Sequence, residues 1–262
     1  MPMYNVTPTV GAAWEALLGA VVQGLRQRGW TDPMRVVPAV GDLTQLWRAP
    51  DLLLSQTCGY PLVTELEHDV QVLAAPGFDL PGCAGADYRS LILVPQAGGA
   101  DSLEQLRGAV AVINQWHSHS GMNALRHTIA PLARDGRFFS RIEVSGSHMA
   151  SIVAVQQGRA DVAAIDCATY GLALRAAPDR LAGVRVLQAT AAAPGLPLIT
   201  SRMLGRAQVH DLRAVLLRLH EDAPSVLESL CVRRLHAMEL ADYEPIRQQV
   251  REAAQRGYAT LA

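Results

Sequence analysis

The chain has 262 residues, half of them apolar, and a formal net charge of −1, so it can bury one large core or two of ordinary domain size and offers no electrostatic case for nucleic acid or an anionic membrane surface. All 23 basic residues are arginine. No run of about 18 apolar residues occurs, which excludes an expected membrane span, and the opening Met1-Pro2-Met3-Tyr4-Asn5-Val6 lacks the basic and apolar regions of a secretory leader, so a cytoplasmic protein and a mature or trimmed form both fit.

In chain order, Tyr4 is expected to end an opening strand. Trp14, Leu17, Leu18, Val21, Val22 and Leu25 then recur at helical spacing up to Gly29. Short apolar runs at Met34 to Val40, Asp51 to Gln56 and Val70 to Pro76, bounded by Gly, Pro or Asp, predict buried strands of a mixed or parallel sheet, with short helices at Leu43 to Trp47 and Pro61 to Leu66 between them. None of Cys58, Cys83, Cys167 and Cys231 forms a CxxC pair, so metal spacing is absent and no metal or other cofactor is expected. Cys58 and Cys83 stand in Gly-flanked turns; a disulfide and two buried thiols are both open readings.

Tyr88 to Pro95 is a further extended run, after which the alternation restarts. Short helices at Ser102 to Arg107, Met122 to Ala133, His148 to Gln157 and Cys167 to Leu174 separate strands at Ala109 to Ile113, Ile142 to Val144 and Val162 to Ile165, and Val184 to Thr190 runs back extended. The remaining chain reads as largely helical, with Val209, Leu212, Leu216 and Leu219 on one face, Ile246, Val250 and Ala253 on another, and Asp242 as an N-cap. The expected architecture is α/β with two lobes: residues 1–90 and 190–262 form the first, 91–189 the second, inserted through two hinge crossings that would let the lobes close on a ligand.

Residues with chemistry gather at the ends of the predicted strands, on the edge where α/β sheets bind ligands. Asn114 to Met122 follows a buried strand and opens a helix, so Ser118, Ser120, Gly121 and Met122 form a loop whose unpaired N–H groups and hydroxyls suit an anion; a single serine acting as N-cap is the plainer reading. His148 starts the next helix after Ser145-Gly146-Ser147, and Asp166 ends a strand, where it also qualifies as the N-cap of the following helix. Tyr4 and the segment Gln56 to Pro61 end strands of the first lobe.

The runs Asp51 to Pro61, Gly82 to Ser90, Asn114 to Gly121 and Gly146 to Asp166 resemble the phosphonate, phosphite and phosphate type of solute-binding protein that serves ABC importers, over nearly the whole chain. The resemblance implies a type II periplasmic-binding-protein fold that holds a small oxyanion, phosphonate, phosphite, phosphate or an organophosphate, in an interlobe cleft without catalysis. It also implies a permease partner and a periplasmic location. Carried over residue by residue, the Ser-rich helix start falls on Ser118, Ser120 and Gly121, the cleft histidine on His148, the cleft aspartate on Asp166 and the first-lobe tyrosines on Tyr60 and Tyr88. His119 departs from the commoner Ser-Thr-Ser start. A carboxylate beside a bound anion repels it unless a proton or positive charge lies between them, so Asp166 is expected to select ligands with a donor.

Two other readings are an enzyme on the same fold, acting on a small phosphorylated or carboxylate metabolite, and a sensory ligand-binding module. Ser118, His148 and Asp166 are residue types of nucleophilic catalysis, but neither Ser118 nor Ser120 lies in a G-x-S-x-G elbow.

Overall fold

The computed structural model describes residues 3–37 and 41–262. In chain order, α1 (Pro8–Gln27) and α2 (Leu43–Trp47) precede β1 (Ser55–Gln56), and α3 (Gly59–Pro61) runs into a π-helical turn (Leu62–Leu66) before β2 (Val70–Phe78). β3 (Asp87–Tyr88) and β4 (Ser90–Pro95) lead to β5 (Val110–Ile113), a π-helical turn (His119–Asn123) and α4 (Ala124–Ile129). Then come β6 (Arg141–Val144), α5 (His148–Gln156), β7 (Val162–Asp166), α6 (Cys167–Ala176), β8 (Val184–Ala189), β9 (Ala193–Pro194) and β10 (Leu198–Ser201). α7 (Arg206–Asp222), α8 (Pro224–Ser229), β11 (Val232–Ala237) and α9 (Glu244–Gln255) complete the chain.

These elements form two compact units: residues 1–87 with 194–243, and residues 88–193 with 244–262. The first holds a four-stranded sheet of order β1-β10-β2-β11 in which every neighbouring pair is antiparallel. The expected mixed or parallel sheet is corrected here, because both neighbours of β2 come from chain that returns after the second unit and runs against it. Residues 34–37 form no strand, and the remainder of the expected strand, 38–40, lies outside the described residues. β10 and β11 replace part of the tail expected to be largely helical. β11 is an edge strand whose register shifts between Val232 and Arg234, and its burial does not alternate, so the two-residue signature of a strand is lost.

α1 is built as its spacing predicts. Thr7 caps it by accepting the Val10 N–H at 3.3 Å, Trp14, Leu17, Val21 and Leu25 are buried, and Gly29 follows at φ +87°, a left-handed position that suits glycine. Helix α7 packs on α1. A Cβ added at Gly24 would stand 2.7 Å from Val215 Cγ1, whereas one at Gly19 would meet nothing within 4 Å. Gly24→Ala is therefore expected to cost about 1–3 kcal/mol by overpacking, and Gly19→Ala to stabilise by up to about 1 kcal/mol. Urea melts of the two variants check this; equal stabilities would contradict the helix contact.

The second unit holds a five-stranded sheet of order β6-β5-β7-β4-β8. β6, β5 and β7 are parallel, and β4 and β8 each run antiparallel to their neighbour. Its core joins Leu93, Val112, Ala163 and Ile165 of the sheet to Ile152 and Val155 of α5 and Ala173 of α6. Residues 244–262, expected in the first lobe, belong to this unit. α9 packs on α4, His127 Nε2 lies 2.7 Å from Glu252 Oε2, and the Phe138 and Phe139 N–H groups donate to Ala262 O. The chain thus crosses at three points, 87/88, 193/194 and 243/244. Asp242 does not cap α9 but sits in a 3-10 turn and accepts the Glu239 N–H at 2.8 Å. Cys58 and Cys83 are both thiols, Cys58 buried at the head of α3 and Cys83 half-buried in the turn after β2.

Candidate functional site

The C-terminal ends of the parallel strands β5, β6 and β7 lie on one edge of the second unit's sheet. Each is followed by a helix start: the π-turn at His119, α5 at His148 and α6 at Cys167. β4 begins on the same edge, since Ser90 pairs with Asp166, so Tyr88 enters there too. Three helix N-termini turned toward one edge concentrate unpaired N–H donors and positive dipole ends, the backbone requirement for an anion.

Ser118 is an N-cap: its Oγ accepts the Gly121 N–H at 3.0 Å, and its carbonyl accepts the Asn123 N–H five residues on at 3.1 Å. That wider turn starts the helix at His119, three residues before the expected Met122, which itself is buried. The wider ring leaves one more first-turn N–H outside the helical ladder than an α-turn does. A Cβ at Gly121 would lie 1.9 Å from Asn114 Oδ1, so any larger residue there has to displace the Asn114 amide.

Ser120 Oγ is 2.8 Å from His148 Nε2, joining the loop after β5 to the first residue of α5. Burial pushes the His148 ring down to about 4, against an opposing contact with the Ala164 backbone, so it is neutral at pH 7. The site side chains are buried: Ser118 is 4% exposed, Ser120 3%, Tyr88 3% and Asp166 2%. The Asp166 carboxylate caps α6, with Oδ1 accepting the Thr169 N–H at 2.8 Å and Oδ2 the Thr169 hydroxyl at 3.3 Å. Burial raises it to about 6, the N–H groups of Thr169 and Ala168 and the Thr169 hydroxyl pulling the other way. Ser120 and His148 have the geometry of a nucleophile and base. The carboxylate that would orient the base in a triad is spent on Thr169 instead.

Asn123 and Arg126 escaped sequence reasoning, and Asn114 and His119, which lie in the stretch it singled out, were given no contacts there. His119 Nδ1 lies 3.1 Å from Asn123 Nδ2, and Arg126 Nη2 donates to Asn123 Oδ1 at 2.6 Å. The His119 ring stands 6.2 Å from that of Tyr88, and is held down to about 3 by burial, with the charges of His127 and Arg126 adding. The spacing of 119, 123 and 126, a polar stripe on one helix face, was the available signal.

The first unit's expected residues fall elsewhere. Among the described residues Tyr4 lies in no strand; its 1% exposed ring stacks on Trp14 at 6.1 Å and meets Phe78 edge-on at 5.1 Å, a core position. Tyr60 is half-buried in α3, its carbonyl accepting the Thr64 hydroxyl at 2.9 Å. A cavity of about 460 Å³ in this unit is lined by Leu18, Trp30, Leu46, Leu53, Leu204 and Gln208 and contains none of the expected site residues.

A family model described as the periplasmic substrate-binding protein of phosphonate ABC transporters matches residues 48–243. No curated protein sequence matches. Among solved structures, a binding-protein component of an ABC phosphonate transporter from Pseudomonas aeruginosa (PA3383) superposes with a TM-score of 0.77 at 18% identity, covering 97% of this chain and 86% of that one. PhnD1 from Prochlorococcus marinus in complex with methylphosphonate gives 0.75 at 16% identity, covering 94% of each. XAC2383 from Xanthomonas citri bound to ATP gives 0.69 at 17% identity, covering 97% and 96%.

Proposed function

The chain belongs to the periplasmic substrate-binding proteins of phosphonate ABC transporters, and from that premise we propose that it holds a small phosphonate-class oxyanion on the sheet edge carrying Ser118, Ser120 and His148. The fold is that of type II periplasmic binding proteins, and the family binds its ligand for a permease rather than transforming it. The observation that carries the assignment is the neutral donor set: two serine hydroxyls, one of them 2.8 Å from a neutral imidazole, beside three helix starts that follow parallel strands. Each charge-assisted hydrogen bond contributes about 1.5–3 kcal/mol and each helix start about 0.3–1.

Asp166 limits the choice of anion. Its carboxylate is ionised at pH 7, since its pKa lies near 6, and it repels a fully deprotonated oxyanion. Monoanions, and ligands that bring their own proton or amine, fit this edge better than a polyanion such as ATP. Tyr88 joins the set as a phenol on the same edge, Gly121 and Met122 shape the loop, and the protein works in the periplasm beside its permease; Tyr60 belongs to the first unit and Tyr4 to its core.

A thermal-shift panel of phosphate, phosphite, methylphosphonate, 2-aminoethylphosphonate and ATP tests this reading. One of the four small anions should stabilise the protein by about 2.7 kcal/mol at a hundredfold excess over Kd and be recovered unchanged. Stabilisation by none of them, or conversion of the bound molecule, would refute it.

A further inference from the structure

Trp14 and Trp47 are buried and Trp30 is half-buried, whereas Trp116 is 49% exposed. It stands at the centre of a β-turn, since the Ser118 N–H donates to the Gln115 carbonyl at 3.2 Å, and Ser118 is the residue that caps the first turn of the anion loop. Among the described residues its indole N–H has no hydrogen-bond partner and its ring no aromatic or cationic one.

The exposed large apolar side chains of the second unit are, among its described residues, Trp116, Val144, Leu174 and Val186. Leu174 lies in α6 and Val186 in the edge strand β8. Trp116 and Val144 instead stand where β5 and β6 end. Val144 is level with Ile113, and the Gly146 N–H donates to the Asn114 carbonyl at 3.0 Å, which holds the two loops side by side. The helix starts of the anion site lie on this same edge. An indole left half in water forgoes much of the burial that stabilises a tryptophan, and here it is left so beside neutral donors.

We propose that Trp116 is a specificity-determining residue of the anion site, its ring packing against the organic group of the ligand, so that the chain takes phosphonate-class monoanions with an aromatic or other planar apolar substituent in preference to bare phosphate or phosphite. This rests on the assignment of the loop after β5 as an oxyanion site. The backbones of Trp116 and Ser118 lie at most about 7 Å apart along the chain, so an oxyanion on the N–H groups that follow Ser118 has its substituent within reach of the turn. Hydroxyls and helix starts hold the oxygens, and Trp116 and Val144 cover the carbon side, the division of labour of a ligand pocket with a few placed polar groups among apolar walls. A bare inorganic anion uses the first set and leaves the indole in water.

Calorimetric titration of phenylphosphonate, methylphosphonate and inorganic phosphate into the wild type, Trp116→Ala and Trp116→Phe proteins tests this. The wild type should bind phenylphosphonate about tenfold more tightly than methylphosphonate; Trp116→Ala should remove that advantage, Trp116→Phe should keep most of it, and affinity for phosphate should change less than about twofold in either. Acrylamide quenching of tryptophan emission supplies a second readout: phenylphosphonate should shield a component that phosphate leaves exposed and that Trp116→Phe lacks. Phenylphosphonate bound no tighter than methylphosphonate, an advantage that survives in Trp116→Ala, or an equal loss for all three anions, the mark of a residue that only shapes the loop, would overturn the proposal. A wild type that binds none of the three overturns the site assignment and this proposal with it, whereas phosphate binding combined with any of the previous results leaves the assignment standing and removes Trp116 alone.

Discussion

Ser120→Leu is expected to abolish stabilisation by methylphosphonate and every other small oxyanion. The substitution removes a hydroxyl donor and replaces it with three carbons at a position that is 3% exposed, so the anion loses both its bond and its space. The same change strips His148 Nε2 of the partner it has at 2.8 Å, and an orphaned buried polar atom costs about 1–3 kcal/mol. The unliganded protein should therefore melt a few degrees lower yet still fold. Ser120→Ala separates the two effects: it leaves the space and removes one charge-assisted bond, an expected loss of about 1.5–3 kcal/mol in ligand affinity. A Ser120→Leu protein that still responds to ligand would place the anion elsewhere.

Acidification should destabilise the second unit steeply. His119 and His148 titrate at about 3 and about 4 in the folded chain, against 6.5 when exposed. Between pH 6.5 and 4 the unfolded state thus binds protons on both rings that the folded state refuses, and stability falls as pH falls. Asp166 acts in the opposite sense: raised from 3.8 to about 6, it keeps a proton in the folded state that the unfolded state has lost, so its contribution grows as pH falls through that window. Two rings against one carboxyl leave a net of about one proton, or about 1.4 kcal/mol per pH unit between roughly pH 6 and 4. Denaturant melts at intervals from pH 7 to 4.5 measure the slope. The His119→Gln, His148→Gln double variant should flatten or reverse it, and a wild type equally stable at pH 7 and 4.5 would contradict the burial of the two rings.

The second unit was the more legible half. Ala109 to Ile113 and Val162 to Ile165 are short continuous apolar runs because the strands they form are covered on both faces, and the serines and glycine after the first, like Asp166 after the second, mark the edge where helices begin. Asp166 was legible only as a choice, since capping a helix and facing a ligand demand the same carboxylate at the same strand end; its two bonds to Thr169 show the cap. The helix start was displaced from Met122 to His119 because periodicity counts apolar residues, and the first turn here is polar but buried. α9 was visible as an amphipathic stripe, but a stripe does not name its partner, and α4 of the second unit supplies it. Tyr4 shows the reverse error, a core aromatic taken for a strand-end hydroxyl. Arg126, Asn123 and His119 read in sequence as ordinary helical polarity, and only their burial and mutual hydrogen bonds set them apart from a solvated face.

Crystals grown with methylphosphonate show whether an oxyanion sits on the loop joining β5 to its helix. A tetrahedral anion is expected within hydrogen-bond distance of Ser120 Oγ and the first-turn N–H groups that follow Ser118. An anion bound instead in the 460 Å³ cavity beside Trp30 and Leu204, with the loop after β5 left empty, would contradict it.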